Sequence, residues 1–332
     1  MGDAPAATRE QGWGRLLLAV AALMLLSRSP GLRMLAPIAD PMLIVFPVIA
    51  ACCVAGWVAG GSPALAAIWV TLTAALFLAP AVGEGGAYRD LARAWGLIFA
   101  ATFGLVCLLG HARTFVGRAV WTVSLALTVG LTAIAARGAT PAEATAVVAV
   151  EMAERNAATA AELERWAPTV APVLPAAGAW ASEEASTLHS ASGDTTTPFL
   201  PALLGLESIA ACALAWALYH RLSRARLGPP LAPLRSFSFN DQLIWALVAG
   251  VTLAALPSFG LLRVVGWNLI LFFGALYVLR GVGVLASFLP GRTLTAQVAS
   301  SAAALLLLPV TAPAALGVGV SDTWINWRKP RQ

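Results

Sequence analysis

Long charge-free apolar runs, separated by short polar, charged or proline-bearing stretches, make up most of the chain. A membrane-spanning helix needs about 20 largely apolar residues. By that measure the runs predict segments at about 15–27, 41–60, 63–80, 94–110, 118–136, 199–219, 242–260, 264–287 and 296–320. The first is short and fits a tilted, curled or partly inserted helix. Trp13, Trp57, Trp95, Trp121, Trp216, Trp245 and Trp267 fall near segment ends, where amphipathic rings favour the headgroup level. The expected fold class is therefore all-α, a polytopic transmembrane helical bundle of eight or nine segments.

One stretch breaks this pattern. Residues 137–197 hold eight of the 16 acidic residues and three arginines, which a spanning segment does not tolerate. Thr140-Pro141-Ala142-Glu143 is a capping-box pattern with proline at the first helical position. Ala and Glu, good helix formers, fill the stretch to Trp166. Pro168, Pro172, Pro175 and the polar run 182–197 then predict a broken, partly disordered return. The organisation that follows is 1–136 with about five membrane helices, 137–197 as an external helical insertion, and 198–332 with three or four more and a basic tail.

Composition agrees. With 59% hydrophobic and 11% charged residues, a chain folded in water would leave large apolar patches exposed. The net charge of +5 comes from 21 basic residues, 20 of them Arg. They sit mostly singly at the ends of apolar runs, whereas nucleic-acid binding concentrates them on one face. The expected partners are the lipid bilayer and a membrane partner subunit or a second copy, with no nucleic acid. Cys52, Cys53, Cys107 and Cys212 lie within apolar runs without metal-ligand spacing, so no metal or other cofactor is expected. The N-terminal stretch leads into Ser-Arg-Ser-Pro and reads as a first membrane helix more readily than a cleaved signal.

Arginines set the orientation. With the N-terminus inside, Arg9, Arg15, Arg113, Arg118, Arg221, Arg224, Arg226, Arg235 and Arg292 are cytoplasmic, against Arg28, Arg33, Arg89, Arg93 and Arg263 outside. Nine against five predicts a multi-pass protein of the inner (cytoplasmic) membrane with its N-terminus in the cytoplasm. The basic tail at Arg328, Lys329 and Arg331 is then outside if 296–320 crosses fully, and inside if Pro309 and Pro313 break that segment.

Ionised side chains at membrane depth cost about 3 kcal/mol or more and usually face a bundle interior. Glu207, beside Ser208, and Arg280 are the two such residues, with Asn268 on the same segment as Arg280. A Glu207–Arg280 pair across two helices would make these three the lining of a substrate pocket; the alternative is an ion pair that only orients helices, or an Arg280 that snorkels to the interface. Ala246, Gly250 and Ala254 recur every four residues as a helix-packing stripe. His111, His189 and His220 lie at helix ends or in the polar insertion, and no GxSxG, HExxH or Walker-type motif is present. No catalytic set emerges, and an enzyme is not expected.

The succession of Pro229-Pro230-Leu231, Arg235-Ser236-Phe237, Asn268, Leu279-Arg280-Gly281-Val282-Gly283-Val284 and Leu316 through Trp324 resembles the YybS-like family of bacterial polytopic membrane proteins. That family carries a polar residue–Gly–small apolar step in its penultimate helix and a terminal Gly-x-x-Asp, here Gly319 to Asp322, before a basic tail. Arg280 stands where the pattern would place glutamine. The resemblance covers about residues 200–328. Such proteins are remotely similar to the substrate-binding S components of energy-coupling-factor transporters. The resemblance implies a small-molecule-binding or transport-related subunit without its own ATPase; the alternative is a non-transporting scaffold. The Ala-xxx-Ala pattern by which S components dock their partner is absent, since Ala19, Ala21 and Ala22 are each followed four residues later by Leu.

Overall fold

The computed structural model of the protein describes residues 42–78, 86–110, 114–190, 197–256, 260–288, 308–325 and 327. The expected segment at 15–27, the first part of that at 296–320 and the basic tail lie outside them. The described residues form helices and no strand: α1 (Met42–Val58), α2 (Pro63–Leu78), α3 (Gly86–Leu109), α4 (Phe115–Ala136), α5 (Pro141–Val170), α6 (Pro175–Ser190), α7 (Leu200–Leu222), α8 (Ile244–Ala254), α9 (Gly260–Ser287) and α10 (Leu308–Ile325). They fall into two compact units, residues 1–230 and 231–332.

Four of these helices are long and apolar enough to cross a membrane: Ala87–Leu109, Phe115–Ala136, Leu200–Leu222 and Gly260–Ser287. Met42–Val58, Pro63–Leu78 and Asp241–Ala254 are apolar but shorter. Among the described residues four of the expected spans reach full length, and others are shorter because turns remove apolar residues from the helices. Seventeen residues of α1 rise only about 26 Å. Gly60, at φ 92, turns the chain just beyond it. α8 ends just before Pro257, whose ring disfavours a helical predecessor. α10 has 18 residues and runs on through Pro313, but carries Asp322 and two prolines and is not among the four.

In the first unit α1 is apolar all round and buried on nearly every side, the signature of a central helix. It packs against α2, α3 and α7, and α7 also packs on α4. Phe99, Phe103 and Trp216 fill the space between. The tryptophan reading needs correcting here: Trp57, Trp121, Trp245 and Trp267 are exposed, but Trp216 is fully buried and Trp95 is 8% exposed. Trp216 packs against Phe103 and Phe115 and lies under the Arg118 guanidinium at 5.3 Å. Arg118, expected in a cytoplasmic loop, is buried in the first turn of α4 and donates to the Leu227 carbonyl at 2.6 Å.

The insertion is a helical hairpin. Thr140 accepts from the Glu143 amide and the Glu143 carboxylate accepts from the Thr140 amide, the reciprocal cap that the sequence predicts. The proline-rich return is not the disordered one expected: α6 folds back along α5. Its Gly178, Ala181 and Ala185 are buried, as are Ala160 and Ala167 of α5. Small side chains on both helices allow that close approach. Residues 191–196 lie outside the described set.

In the second unit α9 lies between α8 and α10. Both contacts are glycine-mediated: a Cβ on Gly266 would overlap the Ala254 amide, and one on Gly281 would overlap the Ala315 carbonyl.

Candidate functional site

Arg280 is 5% exposed. Its Nε donates to Asp322 Oδ2 at 2.9 Å, one terminal nitrogen to the Asp322 main-chain carbonyl at 3.2 Å, and the other to Asp241 Oδ1 at 2.7 Å. The guanidinium also lies 5.4 Å from the centroid of the Phe239 ring, a cation–π arrangement. Asp322 is itself buried, and its other oxygen accepts from the Trp327 amide at 3.1 Å. The two carboxylates seen on Arg280 are therefore Asp241 and Asp322, neither of which the sequence pairs with it. Asn240 caps the turn at Asp241, its side chain accepting from the Gln242 amide at 3.0 Å, and the Asp241 carboxylate is left to Arg280. Asp322 had stood only as the end of a family pattern. A buried cation with its donors so engaged ties three elements together and offers little to a ligand.

Asn268 does not join that cluster. It lies on α9 twelve residues before Arg280, about 18 Å away along the axis. Its amide donates to the Val264 carbonyl at 2.9 Å, one turn back. Of the small-residue stripe, Gly250 and Ala254 face Gly266 of α9: a Cβ on Gly250 would stand 2.9 Å from Leu269 and 3.1 Å from the Gly266 carbonyl. Ala246 is half-buried on the same helix.

Glu207 belongs to α7 in the first unit. Both its carboxylate oxygens are shielded from solvent. It lies near Tyr88 of α3, as do Arg155 and Glu151 of α5. Arg155, on the hairpin, lies 5.0 Å over the Tyr88 ring and bonds Glu151 at 3.0 Å. Two turns along α3 from Tyr88, Trp95 donates its indole N–H to the buried Ser208 hydroxyl at 3.0 Å. A polar knot thus joins α3, α5 and α7 at one end of the unit.

Beside this knot is a slot of about 170 Å³. Its walls are α3 from Tyr88 to Ile98, α4 from Leu127 to Arg137, α5 at Ala144, Thr145 and Val148, and α7 from Leu200 to Leu204. α3 and α4 are successive helices packed on each other. The start of one therefore lies beside the end of the other, and the polar groups Tyr88, Arg137 and Thr145 gather at one end. The rest of the lining is apolar apart from the engaged Trp95 indole. Arg137, at the C-cap of α4, is exposed and has no side-chain partner among the described residues. Sequence reading missed the slot, although the count of arginines in the insertion included Arg137 and Arg155. No local pattern brings residues 88, 137, 145 and 204 together.

The second unit carries a wider groove of about 590 Å³ between α8 and α10. Apart from Asp241, Gln242, Thr252 and Thr323, its walls are Trp245, Val248, Val251, Trp324 and similar side chains. It is open and apolar, as a helix surface facing lipid would be. Among the described residues no group of His, Cys, Asp and Glu is placed to hold a metal.

Residues 168–323, from the hairpin's turn through α10, match the model of a family described as a predicted membrane protein (DUF2232). No curated protein matches the chain, and no solved structure does. The match and the four long apolar helices together identify an integral membrane protein.

Proposed function

We propose that this protein binds a small molecule within the membrane, in the slot between α3, α4, α5 and α7, as a non-enzymatic binding or transport-related subunit. The observation that carries this reading is the slot itself: apolar walls with a few polar groups converging at one end, the usual composition of a ligand site. The polar lining offers Tyr88, Thr145 and Arg137, the Trp95 indole being engaged by Ser208, with no nucleophile held by a base, so binding is a better reading than catalysis. The sequence carries no nucleotide-binding motif, so energy coupling would require a partner subunit, as S-component-like proteins do. The scaffold reading applies to the second unit, where Arg280 is engaged by Asp241 and Asp322 and the helices meet through glycine.

Native mass spectrometry of the purified protein in phosphatidylcholine nanodiscs, with dodecanol as the neutral apolar probe, tests the site. A Cβ at Gly130 would have the Trp95 ring 4.0 Å away as its nearest neighbour, so Gly130→Leu fills the slot without a backbone clash. The expected result is one retained dodecanol in the parent and none in Gly130→Leu. Equal uptake by both, or none by either, overturns the reading.

A further inference from the structure

The shape and charge of the slot restrict what fits it. Its lining runs from Tyr88 to Ile98 on α3 and from Leu127 on α4 to its C-cap Arg137, ten rises in each case and a depth of about 15 Å at 1.5 Å per residue. That is about half the 30 Å hydrocarbon thickness of a bilayer, the reach of one leaflet. The volume of about 170 Å³ is close to that of an apolar cavity that takes a single benzene ring, about 150 Å³, and well below the roughly 300 Å³ or more of a drug-sized pocket. A narrow space of this size, open on one side, is too small for a fused-ring or nucleotide-sized ligand and suits one linear chain, part of which lies outside it.

The polar end adds a sign. Arg137 stands at its rim without an ion pair among the described residues, and Tyr88 and Thr145 bring hydroxyls to the same end. Of the acidic side chains nearby, Glu207 is shielded in the knot, Glu151 is bonded to Arg155, and Glu143 accepts from the Thr140 amide. None of these carboxylates lines the slot.

We infer that the slot takes a single-chain anionic amphiphile, its acyl chain between α3 and α4 and its head on Arg137. This rests on the binding reading above and gives it a ligand class. Two sources share the chemistry: a free fatty acid, or one chain of an anionic phospholipid from the adjoining leaflet.

Three probes of one chain length, dodecanoate, dodecanol and dodecyltrimethylammonium, separate head from chain in the same nanodiscs. Dodecanoate should bind about five- to tenfold more tightly than dodecyltrimethylammonium, the scale of an ion pair at a partly exposed rim. Arg137→Gln should erase that preference while keeping dodecanol, and Gly130→Leu should lose all three. Displacement of dodecanoate by phosphatidylglycerol but not by phosphatidylcholine would identify the phospholipid as the source; persistence would identify the free acid. Equal binding of the three probes to the parent overturns the anionic head while leaving the slot a binding site. A preference surviving in Arg137→Gln overturns the role of Arg137. Loss of every probe from the parent overturns the underlying reading instead.

Discussion

Removing a guanidinium from water costs several kcal/mol, which only well-placed acceptors recover. Arg280 meets that requirement unevenly. Asp322 is 4% exposed at its side chain and accepts through both side chain and main chain, whereas Asp241 is 59% exposed. The two carboxylates should therefore differ in weight. Asp322→Ala leaves a buried cation short of a partner and should cost about 3–5 kcal/mol. Asp241→Asn loses a solvent-screened pair and should cost no more than about 1 kcal/mol. Denaturant unfolding of the two purified variants in micelles checks the order, and equal losses would contradict it. Sequence reading found Arg280 because a charge inside an apolar run stands out. It could not find the partners, which lie 39 and 42 residues away at helix ends where a carboxylate is unremarkable.

Among elements, the second unit is organised by where glycine lets α9 touch its neighbours. Gly281 and Gly319 lie at the crossing of α9 and α10, and a Cβ on either would overlap the other helix's main chain. Gly274, also on α9 and buried, has nothing within 4 Å of its would-be Cβ. The same substitution should thus have opposite signs. Gly281→Ala should destabilise by about 1–3 kcal/mol through forced separation. Gly274→Ala should be neutral or stabilise by up to about 1 kcal/mol through helix propensity. Thermal unfolding of both variants reads the difference, and a like-signed pair of shifts would refute the crossing. The hairpin follows a related logic. Its start was legible from Thr140 and Glu143, because a capping box is a local hydrogen-bond pattern. Its second helix was not, because the prolines at 168, 172 and 175 read as breakers. Pro168 is instead accommodated in the last turn of α5, Pro172 falls in the turn, and Pro175 begins α6.

At the scale of the molecule, orientation in the bilayer rests on the arginine distribution, and α7 separates two testable points. Ser186 on the hairpin and Arg221 at the far end of α7 are both exposed. The native cysteines Cys52, Cys53, Cys107 and Cys212 are all buried, so a single new thiol should dominate labelling. With the N-terminus inside, a membrane-impermeant maleimide applied to intact cells should modify Ser186→Cys and spare Arg221→Cys until the cells are opened. The opposite pattern would reverse the orientation, and labelling of both would deny that α7 crosses.

Hydrophobic runs, acidic clustering and one capping box are local properties, and from them the sequence alone determined an all-helical membrane protein interrupted by a helical insertion. Local reading marks more segments than the four helices of spanning length found among the described residues, because apolar residues in glycine and proline turns look the same as those in helices. Which helices approach closely, which carboxylates hold Arg280 and where a cavity remains depend on side chains brought together from distant parts of the chain. The slot exists because Tyr88, Arg137, Thr145 and Leu204 meet while Gly130 leaves space beside Trp95. Only the packed bundle decides that, since an unfilled volume is a property of several helices at once and of no segment by itself.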